Sequence, residues 1–148
     1  MSRFGRRLQK SAGSSKSVEL YLTPASGTLT NGNTLVVTVR ENSFSQAVNA
    51  VQANITYPTN RMTFQSVDTS QSGFTTTIQS NGGSGSVQIG VGLLSNSLTG
   101  DQEVARITFM LTGTGSAALA FAAGSGIARA SDSVDICEKR TGSNYTIS

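Results

Sequence analysis

The strict alternation of apolar and polar residues is the feature that most restricts how this chain can fold. Residues 48–67 read VNAVQANITYPTNRMTFQSV, and every second residue from Val51 to Tyr57 is apolar. Because successive side chains of a strand point to opposite faces, this pattern predicts a half-buried strand. Pro58 removes a backbone donor and ends the run, and the alternation resumes around Phe64. We therefore predict two strands joined by a tight corner, lying as a pair in the middle of an antiparallel sandwich.

The same alternation recurs along the rest of the chain. Further strands are predicted at residues 18–22, 35–39, 74–78, 87–91, 105–111, 117–123 and 145–147. Asn31-Gly32 and the glycine-rich run 81–85 are turn signals, because Asn and Gly tolerate positive φ. The polar stretch 41–45 is predicted to be a loop. About nine short strands separated by such turns are typical of an all-β sandwich.

Basic residues are concentrated at the N-terminus. The chain holds 11 Lys and Arg against 8 Asp and Glu, but residues 1–16 contain no acid. Segment 1–17 is also rich in Gly and Ser, so we predict a flexible arm followed by one domain at 18–148. Its candidate partner-binding residues combine charge contacts with two apolar anchors: Arg3, Phe4, Arg6, Arg7, Leu8 and Lys10. The alternative reading of this segment is a solvated tail or a cloning remnant.

The composition excludes most catalytic chemistry. Without histidine, the chain lacks the usual general base near neutral pH and the commonest metal ligand. The nearest pairs of acids are Asp101 with Glu103 and Asp132 with Asp135, but acids in loops usually cap turns or face solvent. We therefore predict a protein that is not an enzyme and needs no cofactor. The one candidate metal site is a calcium site at Asp132 and Asp135, because hard cations prefer oxygen ligands.

The sequence gives little evidence for a membrane, a nucleic acid or a glycan as a partner. No apolar run approaches the roughly 18 residues of a membrane span, and no apolar segment follows the N-terminal basic residues, so neither membrane insertion nor a secretory signal is predicted. Specific nucleic-acid binding is not expected, because Phe4 is the only aromatic residue of the basic arm. Tyr21 is out of phase with Leu20 and Leu22, which makes it the candidate glycan contact.

Several ordered segments resemble cohesin-type domains. The resemblance covers residues 18–148 and is carried by VELYLTPASGTLTNGNTLVVTVREN, VNAVQANITYPTNRMTFQSV, VARITFMLTGTGSAALAF, GIARASDSVDI and NYTIS. It implies a jelly-roll sandwich of about nine strands, related to some carbohydrate-binding modules. Members of that family bind proteins: the best-known ones receive dockerin modules on one sheet face, and others occur in adhesins and cell-surface proteins. Pro58 stands where an Asp commonly follows the Tyr, and no dockerin-contacting position is carried over.

These observations lead to one functional expectation and one alternative. We expect a non-catalytic structural or adhesive module, serving as a subunit or decoration protein at the surface of a virion, a filament or a cell. Its partners would be other protein subunits, held through the basic arm. The alternative is a carbohydrate-binding module of a surface or secreted protein, with a glycan contact at Tyr21.

Overall fold

The computed structural model describes residues 16–148, and every regular element in this range is a β-strand. The strands in chain order are β1 (Glu19–Thr23), β2 (Ser26–Leu29), β3 (Thr34–Asn42), β4 (Val48–Thr56), β5 (Met62–Asp68), β6 (Thr76–Gly83), β7 (Ser86–Gly92), β8 (Asp101–Leu111), β9 (Gly115–Phe121), β10 (Gly126–Arg129), β11 (Lys139–Thr141) and β12 (Ser143–Ile147). The all-β prediction is confirmed. No segment in this range forms a helix long and apolar enough to span a membrane.

The strands form two sheets that pack face to face. The smaller sheet has the order β11-β1-β3-β8-β5, and the larger has the order β2-β12-β9-β4-β7-β6, with β10 also paired to β4. Most neighbours are antiparallel, but β1 pairs with β11 and β12 pairs with β2 in parallel, so both sheets are mixed. The described strands outnumber those predicted because β2, β10 and β11 are short segments without a clear alternating pattern.

The core lies between the sheets and is built from the inward-facing residues of both. Because side chains alternate along each strand, every second residue of β3, β4, β7 and β8 is buried over much of its length. The residues predicted to face inward from 51 to 57 are all buried, which confirms the face assigned to β4. The largest fully buried side chains are Phe74, Phe109, Leu20, Leu22, Ile55, Met62, Ile89, Ile107, Leu111, Leu119, Ile127 and Ile147.

The predicted pairing of β4 with β5 is wrong. β4 is central in the larger sheet, whereas β5 is an edge strand of the smaller sheet and pairs with β8. The corner at Pro58 therefore carries the chain from one sheet to the other. The alternation of side chains identifies which face of a strand is buried, but it carries no information about which strand lies beside it.

The predicted loop at 41–45 is also partly wrong, because β3 continues to Asn42. Glu41 occupies the next inward position after Val39 and is fully buried, as is Ser43. Neither oxygen of the Glu41 carboxyl has a hydrogen-bond partner among the described residues. Burial raises the pKa of Glu41 from its ordinary value to about 8; repulsion from Asp101 adds to this and the nearby Arg40 opposes it.

Ile78 departs from the predicted alternation as well. The alternation in the strand predicted at 74–78 places Ile78 on the same face as Phe74 and Thr76, but the register between β6 and β7 shifts between Thr77 and Gln79. This β-bulge inserts Ile78 as an extra residue and leaves 72% of its surface exposed, while Phe74 is buried just before the strand.

Candidate protein-binding face

The strands of the larger sheet are almost free of charge. Arg129, at the end of β10, is the one charged residue in the described strands of this sheet. By contrast, every strand of the smaller sheet carries at least one charged residue. Because charged residues are depleted at the centre of protein interfaces, the outer face of the larger sheet is the better candidate for binding a protein.

A groove crosses this outer face above β7. Gly90 and Gly92 occupy outward positions, between the buried Ile89 and Val91, so the backbone itself forms the floor. We call this feature the glycine groove and define it by Ala50, Gln52, Ile78, Gly90, Gly92 and Ala128. Its central part encloses about 270 Å³. Because the two glycines have no side chains, the groove above them is bordered by the side chains of Gln52, Gln79 and Ile78.

The absence of a side chain at Gly90 also shapes the polar wall of the groove. Gln52 Nε2 donates hydrogen bonds to Asn54 Oδ1 at 2.8 Å and to Gln79 Oε1 at 3.0 Å, which links β4 to β6 across β7. A Cβ at Gly90 would lie 2.8 Å from Gln52 Oε1, so a larger residue would displace this amide. The glycine thus permits an ordered amide bridge on the outer face.

Two exposed apolar side chains border the same hollow. Ile78 is 72% exposed and Leu94 is 90% exposed, and both line the end of the groove near Gly92. The only other large apolar side chains exposed in residues 16–148 are Val36 and Val134. Single exposed apolar residues are common, but a pair beside a groove in a sheet with few charges is typical of an interaction surface.

The loop after β10 forms the opposite wall. Asp135 Oδ1 accepts a hydrogen bond from the Ile127 N–H at 3.0 Å, and Arg140 donates to Asp135 Oδ2 at 3.1 Å. The carboxyl lies directly above Gly126, where a Cβ would be 2.8 Å away. Asp135 therefore fastens the loop to β10 and to Arg140.

The two candidate calcium ligands are held by separate arginines. Asp132 forms an ion pair of 2.7 Å with Arg129, which holds the pKa of Asp132 below its usual range, whereas Asp135 pairs with Arg140. No group of three or more potential metal ligands occurs within residues 16–148. The calcium site stays a prediction, and the geometry gives both carboxylates a role in holding the loop.

Tyr21 lies on the outer face of the smaller sheet, away from the glycine groove. Its hydroxyl donates a hydrogen bond to Asp101, which also accepts one from Arg40 Nε at 2.9 Å. Burial, followed by the bond to Asp101, raises the pKa of Tyr21. The glycan contact at Tyr21 stays a prediction; the hydroxyl already serves in this cluster.

The other acids considered for catalysis are also engaged. Arg106 donates two hydrogen bonds to Glu103, at 2.9 and 3.0 Å. Cys137 is partly buried, and burial raises the pKa of its thiol, which keeps it in the less reactive protonated form. These side chains therefore act in ion pairs and packing.

The predicted binding residues of the arm, Arg3 to Lys10, lie outside the described residues. The described chain enters the sandwich at Val18, whose N–H donates to Glu138 Oε1 at 3.1 Å. The Val18 carbonyl in turn accepts a hydrogen bond from the Glu138 N–H at 2.8 Å. Glu138 thus fixes the point at which the N-terminal segment leaves the domain.

Comparison with known proteins identifies the fold. No protein-family model matches the sequence, and a search of curated proteins found no match. Among solved structures, the seventh ScaB type I cohesin from Pseudobacteroides cellulosolvens is 16% identical with a TM-score of 0.74, covering 89% of this chain and 92% of that chain. A non-cellulosomal cohesin from Archaeoglobus fulgidus is 15% identical with a TM-score of 0.71, covering 90% and 92%.

A third similar structure is CaCohA2 from Clostridium acetobutylicum, 19% identical with a TM-score of 0.71, covering 90% of this chain and 92% of that chain. The chain therefore has a cohesin-type fold, as its sequence segments suggested. The glycine groove was missed at the sequence level. The one trace of it in the sequence is the alternation of Gly90 and Gly92 with valine and isoleucine in β7, which by itself does not distinguish a groove from a bulge.

Proposed function

We propose that this protein is a non-catalytic protein-interaction module that serves as a structural or adhesive subunit, or a decoration protein, of a larger assembly such as a virion, a filament or a cell surface. In this proposal the glycine groove receives part of a protein partner, and residues 1–17 fasten the module to a neighbouring subunit. The observation that carries the proposal is the glycine groove, bordered by Ile78 and Leu94 on an uncharged sheet face.

The energetics favour a protein as the occupant of this face. Fully burying an exposed Ile or Leu side chain contributes about 1.5–3 kcal/mol, so Ile78 and Leu94 together supply a useful apolar anchor. The strands beneath the groove carry no charge except Arg129, which lowers the cost of removing water from this part of the face. The wall of amides at Gln52 and Gln79 offers hydrogen bonds to a polar rim of the partner.

Structures with the same fold support a protein partner. The third ScaC cohesin of Acetivibrio cellulolyticus was solved in complex with the ScaB dockerin, and the third ScaB cohesin of R. flavefaciens in complex with a group 1 dockerin. We extend from them only the class of partner, a protein. The identity to both is low, so the contact residues here are argued from this chain alone.

The non-catalytic part of the proposal is supported by the chemistry of the described side chains. The acid pairs considered for catalysis are held in ion pairs with Arg40, Arg106, Arg129 and Arg140. The buried acid Glu41 has no access to solvent. The sequence contains no histidine to act as a base.

The test of the groove uses assemblies isolated from the native source. Full-length protein and the Ile78→Lys/Leu94→Lys variant are added separately, and their incorporation is compared by pelleting and electron microscopy. We expect the variant to be lost from the pelleted assemblies. Val36→Lys is the matched control, because Val36 is an exposed valine on the outer face of the smaller sheet. Equal incorporation of all three proteins would reject the glycine groove as the binding site.

The test of the arm is a deletion of residues 1–15. We expect the deletion to prevent incorporation while leaving the thermal unfolding transition nearly unchanged, because the core described above is formed by residues from Val18 onwards. A charge-reversed arm, with Arg3, Arg6 and Arg7 replaced by Glu, separates the effect of charge from that of length. Assemblies that take up the truncated protein as readily as the full chain would reject the arm as a tether.

A further inference from the structure

The four sheet edges differ in how well they are protected against pairing with another strand. Natural proteins protect edges by making the strand short, by placing charges or proline on it, or by bending it. The edge strand β11 has three residues and includes Lys139 and Arg140. The edge strand β2 has four residues and starts directly after Pro24 and Ala25. The edge strand β5 is interrupted by a bulge and ends at Asp68.

The edge strand β6 has less of this protection. It runs for eight residues without a charged residue or a proline, and residues 77–82 are all exposed. Within residues 16–148, its backbone pairs with β7 and with no other strand. Since an edge strand directs alternate N–H and C=O groups away from its neighbour, β6 offers a row of free backbone groups to solvent.

The surroundings of β6 leave this edge accessible from the side. β5 of the opposite sheet lies beneath it, with the Phe64 ring against Gly82, where a Cβ would be 2.8 Å from the ring. The outer side carries Gln79, which accepts the amide of Gln52. The bulge at Ile78 and a hydrogen bond of 2.8 Å between the Thr69 and Thr77 hydroxyls both lie near one end of the strand, which leaves the stretch from Gln79 to Gly83 in regular register.

We propose that β6 pairs antiparallel with β6 of a second copy of this chain, forming a two-fold symmetric dimer with one continuous sheet. A strand that pairs antiparallel with itself makes the same contacts on both copies, so the interface is closed and stops at two molecules. Identical strands with charged residues would place like charges near each other, whereas the Thr, Gln, Ser and Asn side chains of β6 bear none. This neutrality makes a second copy the fitting partner.

The dimer has a consequence for the glycine groove. A two-fold axis perpendicular to the sheet keeps the outer faces of both copies on the same side. The two grooves therefore lie on one shared surface, each near the new interface because Ile78 belongs to β6. Such an arrangement gives the protein two equivalent binding sites facing one direction, which increases its avidity for a partner with repeated sites.

The test measures the mass of the full-length protein by sedimentation over a range of concentrations. We expect the mass to rise with concentration and to reach twice the monomer value. Ser80→Lys, at an exposed position in the middle of β6, should raise the dissociation constant of the dimer by about tenfold or more, because it places like charges across the interface. Thr63→Lys, at an exposed position on the edge strand β5, is the matched control and should leave the dimer intact.

A charge swap separates pairing from misfolding. Ser80→Glu alone should weaken the dimer to a similar degree, but an equal mixture of Ser80→Lys and Ser80→Glu should form a heterodimer. A wild-type protein that remains monomeric at all concentrations would overturn the proposal. A dimer that persists in the Ser80→Lys variant would also overturn it. This includes a dimer that is lost only when residues 1–15 are deleted. The groove is judged separately, because a monomeric Ser80→Lys variant that still joins assemblies contradicts neither the groove nor the arm.

Discussion

The outer faces of the two sheets differ in their charge. On the smaller sheet, charged side chains are paired with one another, as in Arg40 with Asp101 and Arg106 with Glu103. On the larger sheet, amides, glycines and the exposed Ile78 replace the charges. Covering a face whose charged groups are already paired with one another contributes little binding free energy. Covering a face with few charges and exposed apolar groups contributes more, because apolar surface is removed from water.

The difference extends to the inner faces. The larger sheet contributes apolar side chains to the core from β4 and β7, whereas the smaller sheet also contributes the buried acid Glu41. A buried carboxyl without a hydrogen-bond partner is costly when ionised. The smaller sheet therefore contains the position that most strongly links stability to pH.

The largest expected effect comes from Glu41. Because its folded-state pKa of about 8 is above its ordinary value, the folded protein binds this proton more tightly than the unfolded chain does. The stabilisation is complete below the ordinary pKa and is lost as pH rises through about 8. The free energy of unfolding should fall by up to about 5 kcal/mol across this window. Urea unfolding at several pH values measures it.

Glu41→Gln is the control for this effect, since it keeps the shape and removes the titration. Its free energy of unfolding should vary much less over the same pH range, so that the variant becomes relatively more stable at high pH. Parallel pH profiles for the two proteins would show that Glu41 is not the group responsible.

The second effect concerns the core that the two sheets share. Phe109 of β8 is fully buried, with its ring centroid 5.1 Å from that of Tyr57 and 6.4 Å from that of Phe64. Phe109→Ala should lower the free energy of unfolding by about 3–5 kcal/mol. Met110→Ala, at the neighbouring outward position, should cost less than about 1 kcal/mol. Chemical denaturation measures both, and equal losses would contradict the assigned faces of β8.

A smaller effect is expected at the charged outer face. Tyr21→Phe removes the hydroxyl that donates to Asp101 and should lower the free energy of unfolding by about 1 kcal/mol, because the pair is partly exposed. A double-mutant cycle with Asp101→Ala, which removes the acceptor, isolates the interaction. If the two losses add without coupling, Tyr21 and Asp101 do not interact in solution.

The smallest effect on stability is expected at the uncharged outer face. Ile78→Lys and Leu94→Lys should each change the free energy of unfolding by less than about 0.5 kcal/mol, because both side chains are largely exposed. Thermal unfolding measures this change, with Val36→Lys as the control on the smaller sheet. A large loss in either variant would mean that the side chain supports the fold, and its role in binding would have to be reconsidered.

The sequence predicted which residues face the core far better than it predicted which strands pair. The inward set from Val51 to Tyr57 followed from the period of two, since that period is a property of the extended chain itself. The position of β5 in the other sheet depends on a corner whose direction is fixed by packing. The burial of Glu41 was not predicted, because a polar residue at the end of an apolar alternation is normally exposed.

The binding face was still harder to predict. Gly90 was included in the strand predicted at 87–91, and Gly92 followed it directly, but a glycine in a strand also marks a bulge or a weak position, so the pattern alone did not indicate a groove. The exposure of Ile78 depends on a one-residue bulge relative to β7, which no local pattern reveals. The approach of Leu94 to the same hollow depends on the path of a loop.

The central claim is that the uncharged face, and not the charged one, contacts a protein partner. Hydroxyl-radical footprinting of the free protein and of the native assembly tests it most directly, because it measures the exposure of individual side chains. The account predicts that oxidation of Ile78 and Leu94 falls on assembly while oxidation of Val36 and Tyr21 is unchanged. Protection of Val36 and Tyr21 with undiminished oxidation of Ile78 and Leu94 would contradict it.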